Sequence, residues 1–365
     1  MKAVINDSKA LRSLCLILKK NRDRSGILSK ALIRTSECGE YLECVATDLD
    51  VTKILRIPAE CEEQGSLVVD IMALDKMAKN LKKVDGSITI RSEDDTQWAR
   101  MEHPKITTRL AGTHPDEFPN FVEEVDTEIG EMDGDRMRRV LESCEPAISS
   151  DDTKENLTGL YLEGDRAIST DEHRLRKMRV DGADFGPGVI VPGSAVTLAI
   201  YAAKKVKPET IYYAIDDEYA VFQIGLHTIT ARLIDGTFPD YTRVLPEENG
   251  TQAKIDKGSA LQALDLLEPT ISSKTSNVRA TIADDRLELY ASDPNNGEAT
   301  APVVTHFVDG ASVKAGFNAD YLEDALGDMP DDEATISIID TLSPATITCE
   351  SEPDCFWVVM PMRIG

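Results

Sequence analysis

The chain of 365 residues is 41% hydrophobic and 29% charged, and its formal net charge at pH 7 is −25. This length and composition are typical of a soluble globular protein with two or three domains, each able to bury its own core. The net charge argues against a nucleic-acid partner, because phosphate binding needs lysine and arginine. A local cluster of lysine and arginine can still bind phosphate in an acidic chain, so the charge of each element matters as well as the net charge.

Cysteine usage and the N-terminus narrow the class of protein further. Seven cysteines are scattered along the chain, and none forms a CxxC pair. We therefore expect no disulfide framework and no metal site, and reduced thiols that pack as small apolar residues. The N-terminus MKAVINDSKA has no apolar signal segment, and no window is apolar for long enough to form a membrane helix. These features predict a cytoplasmic protein.

The first third of the chain reads as two helices among several strands. Apolar residues at helical spacing predict a helix over residues 8–20, with Ser8 as its N-cap, and a second helix over residues 72–84. Apolar runs predict strands over residues 27–36, 41–47, 51–57, 67–69, 87–92, 97–101 and 105–110.

The same order of elements returns twice. Helical spacing recurs over residues 135–144, 194–205, 259–267 and 319–326. A hairpin is predicted through the turn Gly164-Asp165. The remaining strand-like runs cover residues 157–163, 166–170, 189–191, 287–292, 312–315, 335–339, 345–349 and 356–360. Three further strands are predicted after the helix 194–205, and the last of them lies in the stretch 226–246.

Short sequence matches support this threefold order. ITTRL begins at residue 106 and ITARL at residue 229, a separation of 123 residues. Asp48 and Asp171 are also 123 residues apart, and Asp293 follows after a further 122. Repeats at domain-sized spacing indicate duplicated domains. We predict an α+β fold of three similar domains, with helices on one face of antiparallel sheets, over residues 1–123, 127–247 and 250–365.

Five segments in order carry a resemblance to a known family. They are ATDLDV (46–51), TDEHRLRK (170–177), FPDYTRVLP (238–246), FNADYLEDAL (317–326) and VVMPMRI (358–364). Together with the internal repeat, they make the chain similar to the β subunit of bacterial DNA polymerase III, the sliding clamp, over its whole length.

The resemblance implies an architecture and a set of partners. Family members pair head-to-tail into a ring-shaped homodimer with the DNA clamp fold, in which helices line a central hole for duplex DNA and sheets lie outside. The resemblance implies a processivity factor that tethers DNA polymerase III, the clamp loader and repair proteins through short clamp-binding peptides. It implies no catalysis, no cofactor, no metal and no membrane contact.

Helices that face DNA should be more basic than the rest of the chain. The segments 9–24, 72–84 and 194–207 carry net charges of +5, +3 and +3, whereas residues 135–145 sum to zero and the helices of the last third are acidic. An alternative is that these lysines form ordinary solvated faces. The expected DNA-facing residues are Lys19, Lys20, Arg22, Arg24, Lys76, Lys79, Lys82, Lys83, Arg136, Arg138, Arg139, Lys204, Lys205 and Lys207. We expect a lumen that is positive in two domains and neutral or negative in the third.

The resemblance also places a peptide-binding pocket between the second and third domains. Met360 and Met362 would suit it, because methionine adapts to related ligands, although an edge strand of the core would explain them equally. Glu172 and Pro344 depart from the family pattern, which has glycine and a small polar residue there. The expected lining is Leu157, Thr170, His173, Arg174, Leu175, Pro239, Arg243, Val244, Asn318, Tyr321, Leu342, Pro344, Val358, Val359, Met360, Pro361, Met362 and Arg363.

For the contact between subunits, we expect the strand 105–110 of one chain to meet the third domain of the other, with Thr108, Leu110 and Ile271 contributing. One alternative within the family is a second-copy or phage-borne clamp with altered partner or inhibitor binding. An alternative of another class is a hydrolase that uses Asp171 and His173, which would share a face if both lay on one strand. The sequence has no GxSxG, glycine-rich phosphate loop or HExxH motif to support catalysis.

Overall fold

The computed structural model describes residues 1–20, 26–81, 86–93, 98–245 and 250–363. These residues form six α-helices: α1 (Ser8–Lys19), α2 (Ile71–Leu81), α3 (Gly134–Cys144), α4 (Gly193–Val206), α5 (Lys257–Leu267) and α6 (Ala319–Asp328). No helix in the described ranges is long and apolar enough to cross a membrane.

The sheets are built mainly from antiparallel strand pairs. The first third contributes β1 (Lys2–Ile5), β2 (Lys30–Thr35), β3 (Tyr41–Thr47), β4 (Val51–Pro58), β5 (Glu60–Glu63), β6 (Ser66–Asp70), β7 (Ile88–Glu93), β8 (Trp98–His103) and β9 (Ile106–Thr113). The second contributes β10 (Ile129–Asp133), β11 (Gly159–Glu163), β12 (Arg166–Thr170), β13 (Arg174–Arg179), β14 (Val189–Pro192), β15 (Thr210–Ile215), β16 (Tyr219–Ile224) and β17 (His227–Arg232). The last contributes β18 (Thr251–Asp256), β19 (Asn277–Ala283), β20 (Arg286–Asp293), β21 (Gly297–Val303), β22 (Thr305–Asp309), β23 (Val313–Asn318), β24 (Glu333–Ile338), β25 (Ala345–Thr348) and β26 (Phe356–Val359).

This element order repeats three times. Each repeat has one strand, a helix, four or five strands, a second helix and three final strands. The prediction of an α+β fold with antiparallel sheets is confirmed. The predicted helices are all present, although the end of the second lies outside the described residues.

Several predicted details are wrong. Ser8 is not the N-cap, because Asp7 is extended and its carboxylate accepts a hydrogen bond from the Lys9 N–H. The strand predicted from residue 27 begins only at Lys30, since a 3₁₀ turn covers Gly26–Ser29. The strand predicted from residue 157 begins at Gly159 for the same reason. The strands missed are β1, β5, β10, β13, β18, β19, β21 and β22, most of which are short or interleave charged residues with apolar ones.

The repeats share local geometry as well as order. Asp133 and Asp256 each accept a hydrogen bond from an N–H three residues on, so the first helix of every repeat starts after an aspartate. Leu49 and Glu172 both have positive φ, 84° and 74°, and each donates its N–H to a threonine hydroxyl two residues back. Such matching turns are what duplication of one module predicts.

The described residues form two compact units, Met1–Leu141 with Val191–Ile234, and Glu142–Ile190 with Asp235–Gly365. In the first unit, β17 joins β4 and continues the strands of two repeats into one 13-stranded sheet. In the second unit, β13 joins β26 within a nine-stranded sheet. A separate four-stranded sheet, ordered β21-β20-β19-β23, lies in the same unit. The domain boundaries given above stay a prediction.

All seven cysteines are free thiols. Cys15 on α1 and Cys44 on β3 are fully buried in apolar surroundings. Burial raises the pKa of Cys15 to about 12, so this thiol stays neutral and packs as a small apolar side chain.

His227, at the start of β17, gives the junction with β4 a defined pH dependence. Burial first, and the neighbouring Arg56 charge second, lowers the pKa of His227 to about 4 from 6.5. The neutral ring accepts a hydrogen bond at Nδ1 from the Arg56 N–H. The folded state therefore excludes a proton that the unfolded state accepts. This contribution to stability is complete above pH 6.5 and is lost as pH falls toward 4.

We expect the wild-type protein to lose about 3 kcal/mol of unfolding free energy from this group between pH 7 and pH 4. His227→Gln keeps an acceptor for the Arg56 N–H but does not titrate, so its loss over the same range should be smaller by that amount. Urea unfolding at a series of pH values measures both. Superimposable pH profiles would contradict the prediction.

Candidate functional site

A basic surface lies on the helices of the first unit, where α1 packs against α2 and α4. Five of the expected DNA-facing cations are exposed on α2 and at the end of α4: Lys76, Lys79, Lys204, Lys205 and Lys207. Arg136 on α3 is also exposed, whereas Lys19, Lys20, Arg138 and Arg139 are partly buried. Arg22, Arg24, Lys82 and Lys83 lie outside the described residues.

Asp75 reduces the free charge of this surface. Its side chain is buried on α2, where it pairs with Arg12 and with Lys19 at 3.0 Å, both on α1. A buried carboxylate needs such partners, because an unpaired charge removed from water is costly. The same contacts fix α1 against α2. Lys19 is therefore held within the protein, and Lys76 and Lys79 are the freer cations.

The end of α4 concentrates exposed positive charge. Lys204 and Lys205 lie in its last turn, where cations are favoured by the helix dipole. The Lys205 ammonium lies 5.5 Å from the centre of the Tyr201 ring. Lys207 ends the helix in the left-handed conformation, with φ 50°. These cations are positioned for contact with a diffuse anionic partner such as a phosphate backbone.

The second candidate site lies within the second unit, where the chain brings the predicted pocket segments together. Leu175 pairs with Val358 and Arg174 with Val359 across β13 and β26. The Met360 N–H donates to the His173 carbonyl at 2.8 Å. The C-terminal segment thus continues along the turn between β12 and β13.

Further contacts close the border of this site. The Met362 N–H donates to the Gly316 carbonyl at 2.7 Å, which places the C-terminal segment beside β23 and the start of α6. The Asn318 side chain caps α6 through the N–H groups of Asp320 and Tyr321. The Asn156 amide donates to the Thr237 carbonyl at 3.0 Å and so joins the segments that carry Leu157 and Pro239.

The predicted lining residues differ in exposure. Leu157, Leu175, Val358 and Val359 are buried. Thr170, Arg174, Asn318, Tyr321, Pro344, Met360, Pro361 and Met362 are partly exposed. His173, Pro239, Arg243, Val244, Leu342 and Arg363 are exposed, and Leu342 is 81% exposed. An apolar floor with exposed Leu342 and adaptable methionines suits an apolar ligand.

Asp171 and His173 do not lie on one strand, so the condition for their sharing a strand face is not met. They occupy the turn after β12, which ends at Thr170 and precedes β13. Asp171 Oδ1 accepts hydrogen bonds from the N–H groups of His173 and Arg174, both at 2.9 Å, and its Oδ2 pairs with Arg174 at 3.1 Å. Asp171 therefore stabilises the turn, and both of its oxygens are engaged in it.

The backbone conformation of Glu172 explains why glycine is the residue that the family resemblance leads us to expect there. Its φ of 74° lies in the left-handed region, which a side chain other than glycine adopts at a cost of about 1 kcal/mol. Its carboxylate pairs with Lys154, which precedes the 3₁₀ turn Glu155–Leu157. This exposed ion pair spans two segments of the pocket border. Pro344 follows a turn in which Asp340 accepts from the N–H groups of Leu342 and Ser343.

Arg174 is more constrained than its place in the expected pocket suggested. Its guanidinium pairs with Asp171 and Asp324, donates to the Pro146 carbonyl and lies over the Tyr321 ring at 4.3 Å. Arg176, two residues further along β13, is fully buried and was absent from the predicted site. The sequence gives little indication of this role, because an arginine is rarely buried. The only signal is that Arg176 lies next to Leu175, a residue of the predicted lining.

The repeated α+β modules, the basic helices and the apolar segments brought together in the second unit are features of the class of DNA clamp proteins. Models of the DNA polymerase III beta subunit match the chain with the central domain over residues 131–240 and the C-terminal domain over residues 242–363. The chain belongs to the bacterial DNA polymerase III beta subunit family, the sliding clamps of DNA polymerase. The predicted resemblance is confirmed.

Individual relatives agree over the full length. The beta sliding clamp of Caulobacter vibrioides is 27% identical, with all of both chains covered, and that of Pseudomonas putida is 27% identical over 94% of each. The solved DnaN sliding clamp of Pseudomonas aeruginosa bound to griselimycin is 25% identical, with a TM-score of 0.89 over all of both chains. A Thermotoga maritima beta subunit, 21% identical, has the same fold with a TM-score of 0.89.

The basic surface yields a salt-dependence prediction. Replacing Lys76 and Lys79 together by alanine should weaken binding to duplex DNA and lower the slope of log K against log salt by about 2, since each phosphate contact contributes about 0.9. Electrophoretic or anisotropy titrations at several salt concentrations measure this slope. Lys274→Ala with Lys314→Ala is the matched control, as both are exposed lysines of the third repeat. An equal change in the control would contradict the assignment.

Proposed function

We propose that two copies of this chain close into a ring that encircles duplex DNA and tethers the replicative polymerase and repair factors to it. The support comes from the way strands join successive repeats. At both junctions within the chain, the last strand of one repeat pairs with the third strand after the first helix of its partner repeat: β17 with β4, and β26 with β13.

Two strands that correspond to these partners take no part in a junction within the described chain. They are β9, the last strand of the first repeat, and β21, the third strand after the first helix of the third repeat. β9 pairs along its length with β8 and touches β6 only at Gly112 and Thr113, so residues 106–111 have a free edge in the described part of the chain. Among the residues that the structure describes, β21 is the edge of its four-stranded sheet and pairs there only with β20. Free edges expose unpaired N–H and C=O groups and favour pairing with another chain. Pairing β9 of one copy with β21 of the other, twice, would close a ring.

The register of that pairing follows from the repeats. Thr52, Leu175 and Glu298 occupy equivalent positions in the three repeats. Each pairs across a hairpin with the residue that precedes the matched aspartate. Those residues are Thr47, Thr170 and Ser292. Thr230 pairs with Thr52, and Thr107 stands where Thr230 stands in the matched ITTRL and ITARL strands. We therefore place Thr107 of one copy opposite Glu298 of the other.

The expected interface residues suit this arrangement. Thr108 and Leu110 are half-buried on β9. Ile271 follows the 3₁₀ turn Glu268–Thr270 and packs against the core of the second unit. Such a contact would extend a sheet with modest apolar burial, as expected for subunits that a clamp loader must separate.

The basic helices would then line the opening. Backbone-directed phosphate contacts carry no sequence information and permit sliding. On α6, Asp324 and Asp328 are paired with arginines, while Asp320 and Glu323 are exposed. We propose a lumen that is positive along the first two domains and neutral or negative in the third.

The pocket would receive short peptides from DNA polymerase III, the clamp loader and repair proteins. The ring holds these enzymes at high effective concentration near DNA, so weak contacts give long residence. We propose three domains over residues 1–123, 127–247 and 250–365, a cytoplasmic location and no catalysis. The engagement of both Asp171 oxygens in a turn supports the last point.

Retention on circular DNA tests this function. Once a clamp loader has placed the protein on a nicked circular plasmid, it should remain with the intact circle through gel filtration at high salt. Cutting the plasmid at one site should release it, because only topology prevents escape. Equal retention on circular and linear DNA would contradict the ring.

A further inference from the structure

Two arginines of β13, Arg174 and Arg176, face two aspartates of α6, Asp324 and Asp328. Arg174 pairs with Asp324, and Arg176 pairs with Asp328 at 2.9 Å. Side chains two residues apart on a strand share a face and are about 6.6 Å apart, and residues four apart on a helix are separated by about 6 Å along its axis. The two spacings match, so the strand and the helix are joined by two parallel ion pairs.

The Arg174 pair occupies the border of the pocket. Asp171, Asp324 and the Pro146 carbonyl take up the guanidinium nitrogens, and Tyr321 covers one face of the group. Arg174 therefore has a fixed orientation set by the protein. Each of its three nitrogens already donates to the protein, and only 12% of the side chain is exposed, so Arg174 is a poor partner for a carboxylate on an incoming peptide.

The Arg176 pair lies deeper and joins four elements: the end of α3, α6, β13 and β26. Arg176 Nε donates to the Ser143 hydroxyl at 2.7 Å, at the end of α3. Asp328 Oδ2 also accepts from Ser143 at 2.6 Å and from the Trp357 indole N–H at 2.9 Å. Trp357 pairs with Arg176 across β13 and β26, one position from Val358. The buried network therefore holds α6, β13 and β26 in one arrangement.

We propose that these two arginine–aspartate pairs position the peptide pocket, and that Arg174 and Arg176 are positioning residues rather than ligands for the peptide. This inference rests on the proposed function. The strands that the network aligns carry Leu175, Val358 and Val359, and the segment after β26 carries Met360 and Met362. The pocket accordingly selects its ligands by apolar side chains, and a peptide carboxylate gains no ion pair from Arg174.

Griselimycin, which a Pseudomonas aeruginosa relative binds, is the probe for the test. Asp324→Ala removes the carboxylate of the Arg174–Asp324 pair without replacing a residue of the expected pocket lining. Asp324 is partly exposed, with 41% of its side chain accessible. Glu323→Ala is the matched control, since it removes an exposed carboxylate from the neighbouring position of the same helix. Affinity by calorimetry, melting temperature and solution mass are measured for the wild type and both variants.

We expect Asp324→Ala to weaken griselimycin binding about tenfold, while Glu323→Ala stays within about twofold of the wild type. The melting temperature and the solution mass of both variants should remain those of the wild type. If the Arg174–Asp324 pair only stabilised the fold, Asp324→Ala would lower the melting temperature. If Asp324→Ala proves unstable, Asp324→Asn keeps the side-chain shape, and the same comparison applies.

Two contrary results are distinguishable. Equal affinity of Asp324→Ala and Glu323→Ala, with the wild type binding normally, would overturn the positioning role and leave the pocket intact. A wild-type protein that fails to bind griselimycin would overturn the pocket itself, and with it this inference. Neither result bears on the ring, which retention on circular DNA tests separately.

Discussion

Pairing of strand edges is the constraint on which this structure depends. A free edge exposes backbone N–H and C=O groups that need partners, and an unpaired edge is open to association. The chain satisfies this need at two places by joining β17 to β4 and β26 to β13. The free edge of β9 and the edge strand β21 pose the same need again. In the proposed ring, a second copy placed in the same register would meet this need and close the ring on which the proposed function depends.

The duplicated module also shows how one position can be used differently in each repeat. Lys53 and Arg176 follow the equivalent residues Thr52 and Leu175, and both side chains are buried. Lys53 donates to the carbonyls of Leu18 and Lys20 at the end of α1, whereas Arg176 donates to Ser143 at the end of α3. Ala299 occupies the third equivalent position, so the proposed subunit contact would form without a buried cation.

Ion pairing changes what the net charge of −25 means for function. Asp75 binds Arg12 and Lys19 between α1 and α2, and Asp324 and Asp328 bind arginines of β13. These charges hold elements together and contribute little to the field around the protein. The exposed cations on α2 and at the end of α4 therefore matter more for a phosphate partner than the net charge of the whole chain would indicate.

The sequence predicted the helices and the repeat well, because amphipathic spacing and the ITTRL and ITARL match are local signals. It did not predict edge strands such as β5 and β10. These strands carry exposed acidic residues and have no regular alternation of apolar side chains. The pocket positions came from family resemblance, and the structure brings those segments together in one unit. The role of Arg176 was missed, since its partners Ser143 and Asp328 are 33 and 152 residues away in the chain.

The register between subunits offers the most direct test of the central claim. Residues directly opposite on antiparallel strands lie within disulfide reach. Thr107→Cys combined with Glu298→Cys should, on oxidation, give a covalent species of twice 40.1 kDa. The wild-type protein, and Thr107→Cys combined with Ala299→Cys, should give much less. A monomer in solution, or equal cross-linking in the shifted pair, would contradict the account.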